Sequence, residues 1–278
     1  MALHMLPSSA YRGDLGPVGE VGVEYTHLAS LSPNDVEPSV RAFIKIYPET
    51  YAGGEPVRGL VNEVIGYFVA ERAGLPVPPR AGLIALQVSQ LVSAPAWLDP
   101  SKPAIGFWSE DVETPSIRAT WRLAGLPIGS SAQMAALNSA REFLLSHGGT
   151  PAVIALDDLL ANIDRNLGNL LAGGGKLTLI DHGRCLSGPC WVPPDLVVDR
   201  VYLNVVRDLL GVAADSLPYR GSIMAEYRNI IGRLTPAMGD LKLLLDKLLE
   251  PGESNAAYEF LSNRSESASI ARRVRVVA

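Results

Sequence analysis

The sequence predicts an α+β fold, with a small β-rich N-terminal lobe carrying one helix over residues 1–114 and a larger, mainly helical lobe over 115–278. Three observations predict it. Residues 40–47, VRAFIKIY, alternate cleanly, with Val40, Ala42, Ile44 and Ile46 on one side and Arg41, Phe43, Lys45 and Tyr47 on the other, as in a strand. From residue 130 onward the texture changes to apolar residues at helical spacing. Between two polar stretches, LLAGGGKLTLI places Gly173, Gly174 and Gly175 where a hairpin turn needs positive φ.

Composition sets the bounds. The 278 residues suffice for one large domain or two modest lobes. A hydrophobic fraction of 47% and a charged fraction of 19% are ordinary for a globular protein. The net charge of −5 gives no general electrostatic reason to expect nucleic acid. No run approaches the roughly 18 apolar residues of a spanning helix. MALHMLPSSAYRG lacks a basic region followed by an apolar core, so no secretory signal and no membrane partner are expected, and a cytoplasmic protein is. Cys185 and Cys190, spaced C-x4-C without a second pair, are expected to be reduced.

In chain order, residues 1–24 carry Gly13, Gly16, Gly19 and Gly22. They are read as a loose N-terminal arm in preference to a phosphate-covering loop between two strands, because no strong strand precedes them. Residues 23–32 read as a strand, and Pro48 ends the strand at 40–47. Residues 58–73 place Leu60, Val61, Val64, Ile65, Phe68 and Val69 at helical spacing, and Gly74 with the prolines at 76–79 stops that helix. Strands are expected within 81–93 and at 104–108, then a connector between lobes at 109–114. Helices are expected at 131–146, from Pro151 into the polar loop, and at about 199–211, 221–233, 236–250 and 254–264. The basic terminus IARRVRVVA reads as a helix end or frayed tail.

The chemistry concentrates in LDDLLANIDRNLGNLLAGGGKLTLIDHGRCL, residues 156–186. A hairpin through the glycines brings its ends together, so Asp164 and Asn169 are expected beside Asp181. A carboxylate, an amide oxygen and a second carboxylate form a hard oxygen site suited to Mg²⁺ and phosphates. Phosphoryl transfer needs an Asp that accepts the hydroxyl proton, an Asn holding metal, and a second Asp after a short hairpin. Asp164 and Asn169 have the D-x-x-x-x-N offset, and Asp181-His182-Gly183 supplies D-x-G. Upstream, a strand lysine, Lys45, is followed by a helix glutamate, Glu63, an order that orients a lysine toward nucleotide phosphates in kinases. Asp157 either bonds loop backbone amides or is a surface acid. Ser130 and Ser131 suit an N-cap or autophosphorylation.

These segments resemble the HipA-like kinases, in the short form without the extra N-terminal subdomain. FIKIYP followed by LVNEVIGYFVAERAGLPVPP resembles that family's lysine strand, glutamate helix and proline-rich exit. DDLLANIDRNLGNLL resembles its catalytic loop, and LTLIDHG its metal-binding segment. The resemblance covers roughly residues 40–185 and implies a two-lobed protein-kinase-like fold, ATP and Mg²⁺. It implies that Lys45 binds phosphates, Glu63 orients it, Asp164 is the base, and Asn169 and Asp181 hold metal. It also implies a protein substrate, since family members include serine/threonine kinases. Some of these are toxins of toxin–antitoxin pairs that modify aminoacyl-tRNA synthetases, which adds an antitoxin as a candidate partner. Asn166 stands where the family usually has His. Phosphoinositide kinases share a D-R-x-x-x-N and I-D-x-G pattern, so a small-molecule or lipid kinase remains open, as does a nucleotide-binding pseudokinase scaffold.

Overall fold

The alternating segment at 40–47 lies inside a six-stranded sheet. Its strands are β1 (His4–Leu6), β2 (Tyr11–Pro17), β3 (Tyr25–Leu31), β4 (Val40–Ile46), β5 (Ala81–Gln87) and β6 (Pro103–Glu110). They are ordered β1-β5-β6-β4-β3-β2, with β1 parallel to β5 and the other neighbours antiparallel. The structure is a computed structural model that describes residues 4–18, 24–34 and 38–274. The chain packs as two units, Met1–Leu60 with Pro78–Glu113, and Val61–Val77 with Thr114–Ala278.

In the first unit, Ala42, Ile44 and Ile46 of β4 are buried with Ala29, Leu31, Ile84 and Trp108. Each large aliphatic side chain removed from water contributes about 1.5–3 kcal/mol, which fixes the register because a one-residue slip would turn this set outward. Lys45 lies on the opposite face, half-buried, between Thr26 of β3 and Phe107 of β6. Tyr11–Pro17 is a strand paired with β3, so the reading of residues 1–24 as a loose arm is corrected. Two register shifts, at Tyr11/Gly13 and Asp14/Gly16, broke the alternation that would have revealed it. The glycine segment thus leads from β2 toward β3, though Gly19 and Gly22 lie outside the described residues.

His27 on β3 is 1% exposed, with Nε2 3.4 Å from the Tyr11 hydroxyl and Nδ1 without a hydrogen-bond partner among the described residues. Burial pushes the imidazole below its ordinary value of 6.5, while Asp14 pulls the other way; Tyr25 packs against the ring. The unfolded chain therefore takes up a proton first as pH falls. The stability contributed is complete above 6.5 and is lost below it. Denaturation at about pH 7.5 and about pH 5.5 should show weaker acid destabilisation in His27→Gln than in wild type.

The second unit begins with α1 (Gly59–Arg72) from Val61 on, a helix that the division at 114/115 counted with the first lobe. It continues with α2 (Ile117–Thr120), α3 (Ser131–Ser146), α4 (Thr150–Leu160) and the hairpin β7 (Leu170–Gly173) and β8 (Lys176–Leu179). Helices α5 (Val205–Leu210), α6 (Leu217–Leu234), α7 (Met238–Leu248), α8 (Pro251–Arg264) and α9 (Ser267–Val274) follow. Pro151 opens α4, and Ser130 caps α3 by accepting the Gln133 N–H. Helix α4 is the centre of this core, with Val153, Ile154, Leu156, Leu159 and Leu160 all buried. Asp158, next in line, accepts Arg273 Nε at 2.8 Å and the Tyr227 hydroxyl, and also pairs with buried Arg264. The basic terminus is thus a helix through Val274, with Arg273 buried on Asp158 and Arg272 paired with Asp199. Neither cysteine is in a disulfide. Among the described residues no helix is long and apolar enough to cross a membrane.

Candidate active site

Helix α4 ends at Ala161, which turns left-handed at φ 48° and sends the chain into the loop Asn162–Asn169. The loop is held from within. Asn162 Oδ1 accepts the Asp164 N–H at 3.1 Å, and Asn166 Oδ1 accepts the Gly168 N–H at 2.8 Å. Asn166 Nδ2 donates to Asp164 Oδ1 at 3.3 Å, so Asn166 steadies the Asp164 carboxylate. Asn169 Nδ2 donates to the Asp164 carbonyl at 3.0 Å, which commits the amide nitrogen to the loop and leaves Oδ1 as a donor atom for a cation.

The hairpin forms at two of its three glycines. Gly174 and Gly175 adopt φ of 56° and 73° between β7 and β8, whereas Gly173, expected with them, is the last residue of β7, pairs with Lys176 and is not at positive φ. Leu170 pairs with Leu179, and the Ile180 N–H donates to the Asn169 carbonyl at 3.3 Å, so Asn169 and Asp181 stand at the same end of the hairpin. Asp181 itself is left-handed at φ 59°, a conformation that costs most side chains about 1–2 kcal/mol and that Asp and Asn tolerate best.

Asp157 is not a surface acid, and its carboxylate takes loop side chains in place of loop backbone amides. Fully buried, it accepts Arg165 Nε at 3.2 Å and Asn162 Nδ2 at 3.2 Å. Burial pushes its carboxyl up to about 6, against the downward pull of the Arg165 guanidinium. The same guanidinium donates to the carbonyls of Ile180 and Asp181 and lies 3.0 Å from His182 Nδ1. Arginine only donates, so Nδ1 accepts and the His182 proton sits on Nε2. Arg165 therefore ties the end of α4 to the backbone that carries Asp181.

The other anchor is α1. Asn62 and Glu63 are buried, so Glu63 is no solvent-facing acid, and its Oε2 accepts the His182 N–H at 2.8 Å. Asn62 Nδ2 lies within 3.0 Å of the carbonyls of Gly183, Cys185 and Gly188, while its Oδ1 accepts Trp191 Nε1 at 2.9 Å. One turn on, a Cβ added to Gly66 would lie 2.3 Å from His182 Cβ. Only glycine lets α1 approach the D-H-G segment this closely. Gly66→Ala should cost about 2–3 kcal/mol in chemical denaturation, since neither a backbone position nor a Cβ can yield cheaply.

Sequence reasoning missed Asn62, Gly66, Arg165 and Arg184. Arg184 Nε stands 3.4 Å from Asp164 Oδ2, both side chains close to half exposed. Asn62 had a usable signal: a helix apolar on nearly every face is buried, so its few polar residues must have partners. Lys45 belongs to the first unit and the remaining site residues to the second.

The donor set suits magnesium. Among the described residues no group of three or more His, Cys, Asp or Glu side chains could hold a metal by itself. Asn169 brings an amide oxygen and Asp181 a carboxylate, and Mg²⁺ is commonly held by one or two such groups together with substrate phosphates and water.

No protein-family model matches the sequence, and no curated protein matches it. Among solved structures the chain is similar to a Helicobacter pylori proinflammatory kinase, CtkA, with a TM-score of 0.62 over 98% of this chain and 97% of that one. The fold is kinase-like. At 14% identity the likeness reaches the fold and stops there. It agrees with the two-lobed α+β architecture expected from the sequence, a β-sheet N-terminal region followed by a helical C-terminal part.

Proposed function

We propose that the chain is an ATP- and Mg²⁺-dependent HipA-like kinase that transfers the γ-phosphoryl group to a Ser or Thr hydroxyl of a protein. The observation that carries the reading is the hairpin register, which sets Asn169 and Asp181 at one end, directly after the Asp164 loop. Asn169 and Asp181 would hold Mg²⁺, which when bound supplies neutralising charge to the nucleotide phosphates. Asp164 takes the proton of the acceptor hydroxyl as that oxygen bonds to the γ-phosphorus and the bond to the β,γ-bridging oxygen breaks. Its carboxylate is 45% exposed, open to an incoming hydroxyl, and is steadied by Asn166 and Arg184. Lys45 takes nucleotide phosphates and Glu63 orients it, roles that rest on the sequence resemblance.

The test incubates the full chain with γ-labelled ATP and Mg²⁺, alone and with bacterial lysate, beside Asp164→Asn. Label on the chain or on a lysate protein is expected, reduced about a hundredfold or more in the variant. Label on a small molecule or lipid alone would replace the protein acceptor. Mg²⁺–ATP binding without any transfer would make the chain a pseudokinase, and absence of binding would reject the reading.

A further inference from the structure

We infer that the surface beside the Asp164 loop reads negative charge, so that the preferred acceptor is a Ser- or Thr-containing peptide segment rich in Asp and Glu. The acceptor role rests on the kinase reading above; the binding surface does not. Two elements supply the charge. Arg184, directly after the D-H-G segment, spends its Nε on Asp164, and a guanidinium has four further N–H donors. Arg118, on α2, is exposed, and its backbone N–H donates to the Leu167 carbonyl at 2.9 Å. Its Cδ lies 3.9 Å from where a Cβ on Gly168 would stand, so its stem rests against the loop that carries Asp164 and Asn169. Arg122, two residues past the end of α2, is exposed as well.

Among the described residues neither Arg118 nor Arg122 has an ion pair or a side-chain hydrogen bond. Elsewhere in the same unit, Arg207 pairs with Asp215, Arg272 with Asp199 and Arg273 with Asp158. Arg118, uncommitted beside the carboxylate loop, and Arg122, uncommitted four residues on, offer fork-shaped donors that match carboxylates in a chain of net charge −5. Asp164 and Asp181 themselves are negative, so the arginines also offset the repulsion an acidic acceptor would meet on approach. A basic or neutral acceptor gains nothing from them.

The test compares Ser/Thr peptides alike except for Asp, Ala or Lys flanks, with binding read by fluorescence anisotropy and transfer by labelled phosphate. The Asp-flanked peptide should bind and react about five- to tenfold better than the Ala-flanked one, and the advantage should shrink as salt rises from about 50 to about 300 mM. Arg118→Ala with Arg122→Ala should bring the ratio close to one and leave transfer to the Ala-flanked peptide unchanged. Arg118→Lys with Arg122→Lys should restore part of it. Equal binding of all peptides, or a preference that survives the double alanine variant, overturns the inference, as does transfer only to a free phosphorylated small molecule. An arginine-dependent binding preference without any transfer keeps the surface and rejects the kinase reading, so the two failures are told apart.

Discussion

Arg165→Met is expected to cost about 3–5 kcal/mol of stability, the range for breaking a buried ion pair from one side. The guanidinium is fully buried and so is its partner Asp157. Methionine fills much of the volume, so the loss is electrostatic rather than a cavity. Without the guanidinium, Asp157 keeps, among the described residues, only the Asn162 amide as a side-chain partner, and its carboxyl, already pushed up to about 6 by burial, rises further and holds a proton at neutral pH. The carbonyls of Ile180 and Asp181 lose their donor at the same moment. Chemical denaturation should show the stability loss. Asp157→Leu added to Arg165→Met should recover a large part of it, because two matched apolar residues remove the uncompensated charge. Phosphoryl transfer should not recover with it, since the orphaned carbonyls belong to the segment that aims Asp181. Recovery of both together would mean that Arg165 serves the core alone.

This pair also shows what the sequence made legible and what it did not. Periodicity revealed β4 and the face on which Lys45 lies, and three consecutive glycines revealed the hairpin and hence the meeting of Asn169 with Asp181. Those signals are local, set by alternation and by φ preference. β1 is three residues pairing in parallel with β5 across some eighty residues of chain, and nothing in HML announces it. β2 was hidden by its own bulges. The helix expected at 199–211 begins only at Val205, where Asn204 caps it by accepting the Arg207 N–H, a signal that was present and unread. Asp157 and Arg165 are visible as residue types, but whether an acid two turns before a loop is solvated or buried is decided by the helices that pack around α4. Glu63 is similar: the helix was legible, whereas its bond to the His182 N–H joins residues 119 positions apart.

Asp181→Asn should abolish transfer, by about a thousandfold or more, while leaving the fold within about 1 kcal/mol of wild type. The two halves have separate causes. Asparagine has the same shape and accepts a left-handed φ of 59° at least as well as aspartate, so the backbone and its bond from Arg165 persist. What is lost is one full negative charge at the end of the hairpin, where Asn169 offers only a neutral oxygen. A hard dication held by two amide oxygens is held poorly, and the phosphates then keep their charge. The variant should therefore lose Mg²⁺-dependent nucleotide affinity along with turnover, seen as loss of the Mg²⁺–ATP shift in melting temperature. Asp164→Asn should keep that shift and lose only transfer, because the base is needed after the nucleotide has bound. The contrast separates the two carboxylates by role. An Asp181→Asn protein that bound Mg²⁺–ATP as wild type does would remove Asp181 from the proposed metal site, and an Asp164→Asn protein that lost nucleotide binding would move Asp164 into it.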